Sequence, residues 1–179
     1  MASTNRYSLA DCLVTIDFPG ITDGDRSIPQ RTFTIGGPGD SNEAGSYMGE
    51  IKITRAVEAF TTEGDVTGSY VHNRNLNKTG TVELTIRQVS DKILQLLYIA
   101  NAYEGALLKN FRSSGKGLTI TVQVGSNYNG VQDTFITCSD CMINKIPDQV
   151  YGETAATQDW TFTAGIIEYE PGKPFDSEE

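Results

Sequence analysis

Three cysteines, a single histidine and a surplus of carboxylates are the residues of this 179-residue chain that could carry chemistry. Cys138-Ser139-Asp140-Cys141 has the spacing of a redox or metal-binding pair. A zinc site takes four nitrogen or sulfur ligands, usually from a second such pair. Only Cys12 and His72 remain to supply one, at no metal-ligand spacing. An odd cysteine count with no secretory leader also argues against a disulfide framework. The pair is therefore expected to be structural, flanking a tight Ser139-Asp140 turn. His72 could act as the base of a Ser-His-Asp site, which needs one histidine. It lies in a polar run, however, and no G-x-S-x-G elbow occurs. Gly36-Gly37-Pro38-Gly39 and Gly115-Lys116-Gly117 do not match a phosphate-cradling loop that opens a helix. Asp23-Gly24-Asp25 could begin a calcium loop, but its twelfth position is Thr34 rather than a bidentate glutamate. Asn77-Lys78-Thr79 fits a glycosylation acceptor, which has no consequence without a secretory route. No catalytic constellation survives. The chain is expected not to be an enzyme, with no metal and no cofactor.

The charge balance points away from nucleic-acid binding. Net charge is −9, and the fourteen Lys and Arg are scattered, whereas phosphate binding needs them clustered. No stretch approaches the ~20 apolar residues of a membrane-spanning helix, so no membrane anchor is expected. Met1 to Tyr7 lacks a basic start followed by an apolar run, which implies synthesis in the cytoplasm of the producing cell.

The elements are mostly strands. Frequent Thr, Val, Tyr and Phe favour β-structure, and 18 Gly supply turns. Leu9–Phe18 predicts a first strand, Ile21–Gln30 a turn-rich stretch, and Arg31–Ile35 a short strand. Gly36–Gly49 is too rich in Gly and polar residues to pack, so a mobile loop is expected. Glu50–Phe60 alternates, with Arg55 interrupting the apolar face. Thr61–Thr79 predicts a polar connection. Gly80–Val89 alternates most clearly: Val82, Leu84 and Ile86 on one face, Thr81, Glu83, Thr85 and Arg87 on the other. The period then changes. Ser90 is a natural N-cap, and Ile93, Leu96, Leu97 and Ala100 follow at helical spacing. A helix at about 90–104 is expected, packed on a sheet. Strands resume over Leu118–Val124, Thr134–Cys138, Cys141–Ile146 and Thr157–Tyr169. The expected fold is mainly β with one α-helix: an antiparallel β-sandwich or barrel over residues 1–170. Residues 171–179 form an acidic tail, expected to be flexible.

Outward strand faces usually mix charges for solubility. Here Thr81, Thr85, Thr119, Thr121, Gln123, Thr161 and Thr163 give short polar side chains with few charges. Such a surface suits a wall along which something slides.

The order of elements carries a family likeness. Tyr7-Ser8-Leu9 opens a strand through Val14-Thr15-Ile16-Asp17, and a Gly-rich loop follows. Next come the alternating strand from Glu50, then Glu63-Gly64-Asp65-Val66-Thr67-Gly68. Asn73 to Ser90 (NRNLNKTGTVELTIRQVS) runs straight into the Leu-rich helix, and a Pro147 turn precedes Trp160-Thr161-Phe162. From Tyr7 to Tyr169 the chain resembles the tail tube proteins of contractile-tailed bacteriophages. The resemblance implies six-subunit rings that stack into a hollow tube for DNA ejection. In that family four strands per subunit line the lumen. The corresponding candidates are Glu50–Ala59, Gly80–Val89, Leu118–Val124 and Thr157–Ile166. Thr81, Glu83, Thr85, Asp159, Thr161 and Thr163 would then face the channel, past which DNA slides without specific binding. Asp40, Glu43, Tyr47, Tyr70, His72 and Arg74 lie in the loops expected to join stacked rings. The implied partners are further copies of the chain, a sheath, baseplate proteins and a tail terminator, and the implied location is the virion tail. A type VI secretion or bacteriocin tube would share the fold. A free-standing β-sandwich binding module would need clustered exposed aromatics, and Tyr47, Tyr70 and Tyr128 are dispersed.

Overall fold

The computed structural model describes residues 12–23, 26–36, 48–87, 97–101, 117–126, 131–154 and 156–170. Among these residues twelve strands are formed: β1 (Cys12–Phe18), β2 (Ile21–Asp23), β3 (Arg26–Ile28), β4 (Arg31–Gly36), β5 (Met48–Arg55), β6 (Phe60–Gly64), β7 (Tyr70–Arg74), β8 (Gly80–Arg87), β9 (Leu118–Ser126), β10 (Val131–Lys145), β11 (Thr157–Ala164) and β12 (Ile166–Glu170). Eight of them make one antiparallel sheet in the order β4-β1-β9-β10-β11-β8-β5, with β12 also paired to β10. β2–β3 and β6–β7 are separate two-stranded hairpins.

Alternation explains why this sheet holds together. Val14, Ile16 and Phe18 of β1, Leu118, Ile120 and Val122 of β9, Val82, Leu84 and Ile86 of β8, and Trp160, Phe162 and Ala164 of β11 are all buried. They fall at every second position, so each strand turns one face inward. Both halves of the sheet feed a single core cluster, which also holds Leu97, Ile99 and Ala100. Those three lie in the helical segment at residues 97–101, while Tyr98 between them is exposed. The remainder of the expected helix lies outside the described residues, as does the tail at 171–179.

The sheet turns a corner along β10. Residues Phe135–Ser139 pair with β12, whereas Met142–Lys145 pair with β11. At the bend Asp140 adopts φ 54°, a left-handed conformation in which Asp is among the better-tolerated residues. Its carboxylate accepts the Gly117 N–H at 3.0 Å. The Gly165 N–H, between β11 and β12, donates to the carbonyls of Ser139 (3.1 Å) and Asp140 (3.3 Å). A Cβ on Gly117 would stand 2.6 Å from the Asp140 carbonyl carbon, so only glycine allows this approach.

Several expectations change here. Ser139-Asp140 is no tight turn between two strands; it is a bulge within one fifteen-residue strand. The final strand is two strands divided at Gly165. The polar connection 61–79 contains a regular hairpin, and the turn-rich stretch after Ile21 holds a short one. Arg55 marks a strand end. Its Nη2 donates to the Ile167 carbonyl at 2.9 Å and its guanidinium lies over the Tyr169 ring at 5.2 Å.

Candidate functional site

Strands β5, β8 and β11 lie side by side, and their registers align their outward residues in rows. Glu50–Thr85–Asp159, Lys52–Glu83–Thr161 and Thr54–Thr81–Thr163 cross the sheet on one face. Behind them, Ile51–Leu84–Trp160 and Ile53–Val82–Phe162 cross on the core face. Thr81, Glu83, Thr85, Asp159, Thr161 and Thr163 are thus brought together on one surface, half-buried or exposed, and none is in the core. The rows are tied laterally. Thr85 Oγ1 donates to Asp159 Oδ1 at 2.8 Å, and Lys52 Nζ lies 3.2 Å from Glu83 Oε2.

The fourth strand of this surface differs from the expectation. Leu118–Val124 lies in β9, which pairs with β1 and β10 and is separated from β11 by β10. The neighbour of β11 is the second half of β10. Asn144, which accepts the Thr163 hydroxyl hydrogen, and Lys145, paired with Asp148 at 2.9 Å, therefore extend the face. Alternation fixes which way a side chain points but not which strand lies next to it. The short, bulged stretch Cys141–Lys145 carries little periodicity of its own.

The resulting four-stranded half sheet, β5-β8-β11-β10, has two open edges among the described residues. No described strand pairs with the far side of β5, and β9 leaves β10 at Cys141. Both lysines described on this face are ion-paired to carboxylates, so neither presents an uncompensated cation to a phosphate.

Of the residues expected to join rings, Tyr70, His72 and Arg74 lie on β7, with every residue of both hairpin strands exposed. The Tyr70 and His72 rings lie 5.1 Å apart, tilted by 59°, and His72 Nδ1 hydrogen-bonds the Thr62 hydroxyl at 2.8 Å. The hairpin is closed by Asp65, whose carboxylate takes the Thr67 hydroxyl (2.6 Å) and the N–H groups of Ser69 and Thr67. These bonds, the Thr67 hydroxyl foremost, hold the Asp65 carboxyl below its ordinary range. Asp40, Glu43 and Tyr47 lie outside the described residues.

Cys138 and Cys141 are buried, and the Cys141 thiol donates to the Cys138 carbonyl at 3.3 Å. Burial pushes Cys138 up to about 11. It pushes Cys141 up to about 12, with the adjacent Cys138 and Asp140 adding to the rise. The fold therefore favours the neutral thiols, and neither is poised as a nucleophile near neutrality. The sign of the pH effect follows. Their contribution to stability is complete below the ordinary thiol value of 9.0 and is lost as pH rises toward the folded values. Urea midpoints are expected to stay level up to about pH 9 and then fall. Mass spectrometry after iodoacetamide at about pH 8 should show Cys138 and Cys141 modified only once the chain is unfolded.

No known protein family matches the chain, and no curated protein is similar to it. Among solved structures it is similar to the sheath/tube terminator of the PVC extracellular contractile injection system in the extended state. Identity there is 14%, over 94% of this chain and 99% of the other, with a TM-score of 0.47. It is also similar to a chain of the PVC sheath–tube complex (9% identity, 94% of each chain, TM-score 0.47). A third is a chain of the anti-feeding prophage baseplate (12% identity, 95% and 98%, TM-score 0.48).

Proposed function

We propose that this chain is the tube subunit of a contractile bacteriophage tail. Six copies close into a ring, rings stack into a hollow tube, and the tube conducts DNA during ejection. The observation that carries this reading is the half sheet β5-β8-β11-β10, with a polar outer face, an apolar inner face and, among the described residues, two open edges. Open edges invite pairing with another chain. Joining the β5 edge of one copy to the β10 edge of the next removes both and extends the sheet around a ring.

The threonine-rich rows would then line the channel. Hydroxyls keep that wall wetted, and lysines already paired with carboxylates offer DNA little to hold. Six copies at −9 each carry roughly −54 per ring, which repels a polyanion from the wall as a whole. The outward parts of the subunit would meet the sheath, and the tube ends a baseplate and a terminator. On this reading the protein works in the virion tail as a structural component rather than an enzyme.

Negative-stain electron microscopy of the concentrated protein, with and without tail baseplates as seeds, tests the reading. Six-fold rings or tubes with a central channel are expected. Compact monomers that persist even when seeded would overturn it.

A further inference from the structure

The two ends of the half sheet carry unlike, complementary surfaces. β5 ends at Arg55 and β8 starts at Gly80, and these two residues pair. The β6–β7 hairpin lies between them in sequence, so it leaves the sheet at that end. The loop at residues 146–156 joins β10 to β11, whose first residue, Thr157, pairs with Arg87 at the other end. The eight residues of β8 separate the two ends, roughly 25 Å at the rise of an extended strand.

The hairpin register places Phe60, Thr62 and Gly64 on the same face as Tyr70, His72 and Arg74. That face is aromatic and basic, with no carboxylate; Glu63 lies on the other face and Asp65 is engaged at the tip. Phe60 is 57% exposed and Tyr70 67%. A two-stranded hairpin bare on both faces is marginal in water, so the exposed aromatics call for a partner. The far loop presents Val150 (59% exposed) and Tyr151 (76%) beside the exposed acid Glu153. Arg74 and Glu153 have no ion-pair partner among the described residues.

We infer that the aromatic, basic face of the β6–β7 hairpin docks on the 146–154 segment of a second copy of this chain, placed end to end with the first. Arg74 meets Glu153 there, and Tyr70 packs against Val150 and Tyr151. The contact is heterologous: each copy offers its hairpin at one end and its loop at the other. Such a contact propagates without limit along one axis. The inference rests on the tube reading and identifies which surfaces join one ring to the next.

Charge exchange tests it in seeded tube assembly followed by electron microscopy. Arg74→Glu is expected to leave rings intact and cut tube yield about tenfold, and Glu153→Arg to do the same. The double variant R74E/E153R restores the pair and should return yield to within about twofold of the parent. Unchanged tubes in the single variants, loss of rings together with tubes, or no recovery in the double variant would each overturn the inference. A parent chain that makes neither rings nor tubes overturns the tube reading instead. As an independent readout, Tyr70→Cys and Val150→Cys chains mixed before assembly should form an oxidised cross-link that neither forms alone. Its absence in tubes overturns the contact.

Discussion

Replacing Trp160 by alanine is expected to cost the fold about 3–5 kcal/mol. Trp160 is 1% exposed and is the largest fully buried side chain. It stacks on Phe162 with ring centroids 6.2 Å apart, in the β11 row that also holds Leu84 and Ile51. Both halves of the folded sheet contribute to this core, so a void there loosens both. For a chain of this size the loss corresponds to a fall of about 6–20 °C in Tm. Part of the penalty is offset, because the indole N–H finds no acceptor among the described residues and its burial is already unfavourable. Thr161→Ala, one residue on and facing outward, should stay within about 0.5 kcal/mol of the parent. Thermal and urea unfolding of the two variants side by side check the assignment of faces. Equal losses in both would contradict it.

The second large effect concerns the polar wall. Changing Thr81, Thr161 and Thr163 together to lysine adds three cations to rows that now hold hydroxyls. The monomer should keep its fold, since all three side chains lie on the outward face. In a six-membered ring the wall would gain roughly eighteen positive charges, enough to neutralise phosphates along its length. On the proposed tube reading, DNA is expected to pass freely through the parent tube and to be retained by the variant. That retention should weaken steeply between about 50 and 200 mM salt, as counterion release requires. Retention assays on assembled tubes and ejection half-times of particles carrying the variant measure it. Tubes that assemble and release DNA as the parent does would place these residues away from the channel.

The rows behind both predictions were legible in the sequence because Gly80–Arg87 and Thr157–Ala164 each alternate cleanly and one face must be buried. What alternation lacks is any record of neighbours. Leu118–Val124 alternates equally well, yet it pairs with β1 and β10 and is no neighbour of β5, β8 or β11. The Asp140 bulge was hidden for a related reason. Its left-handed backbone is held by the N–H of Gly117, twenty-three residues away, and a Ser-Asp pair seen locally signals a turn. The β6–β7 hairpin escaped notice because every residue in it is exposed, which removes the periodic burial that marks a strand.

The strand order also sets a timetable for synthesis. β8 lies between β5 and β11, but β11 begins only at Thr157. β1 lies between β4 and β9, and β9 begins only at Leu118. A chain leaving the ribosome N-terminus first, at about 5–20 residues per second, can therefore form β1–β4 and β5–β8 early and must hold both pairs open for seconds. β10 and β11 join them last, much as a keystone closes an arch. Until then two apolar sheet fragments with unpaired edges lie exposed beside other nascent copies whose matching strands are also waiting. Domain-swapped and aggregated by-products are the natural hazard of such a schedule, and slowing the ribosome before residue 157 would lengthen the exposure.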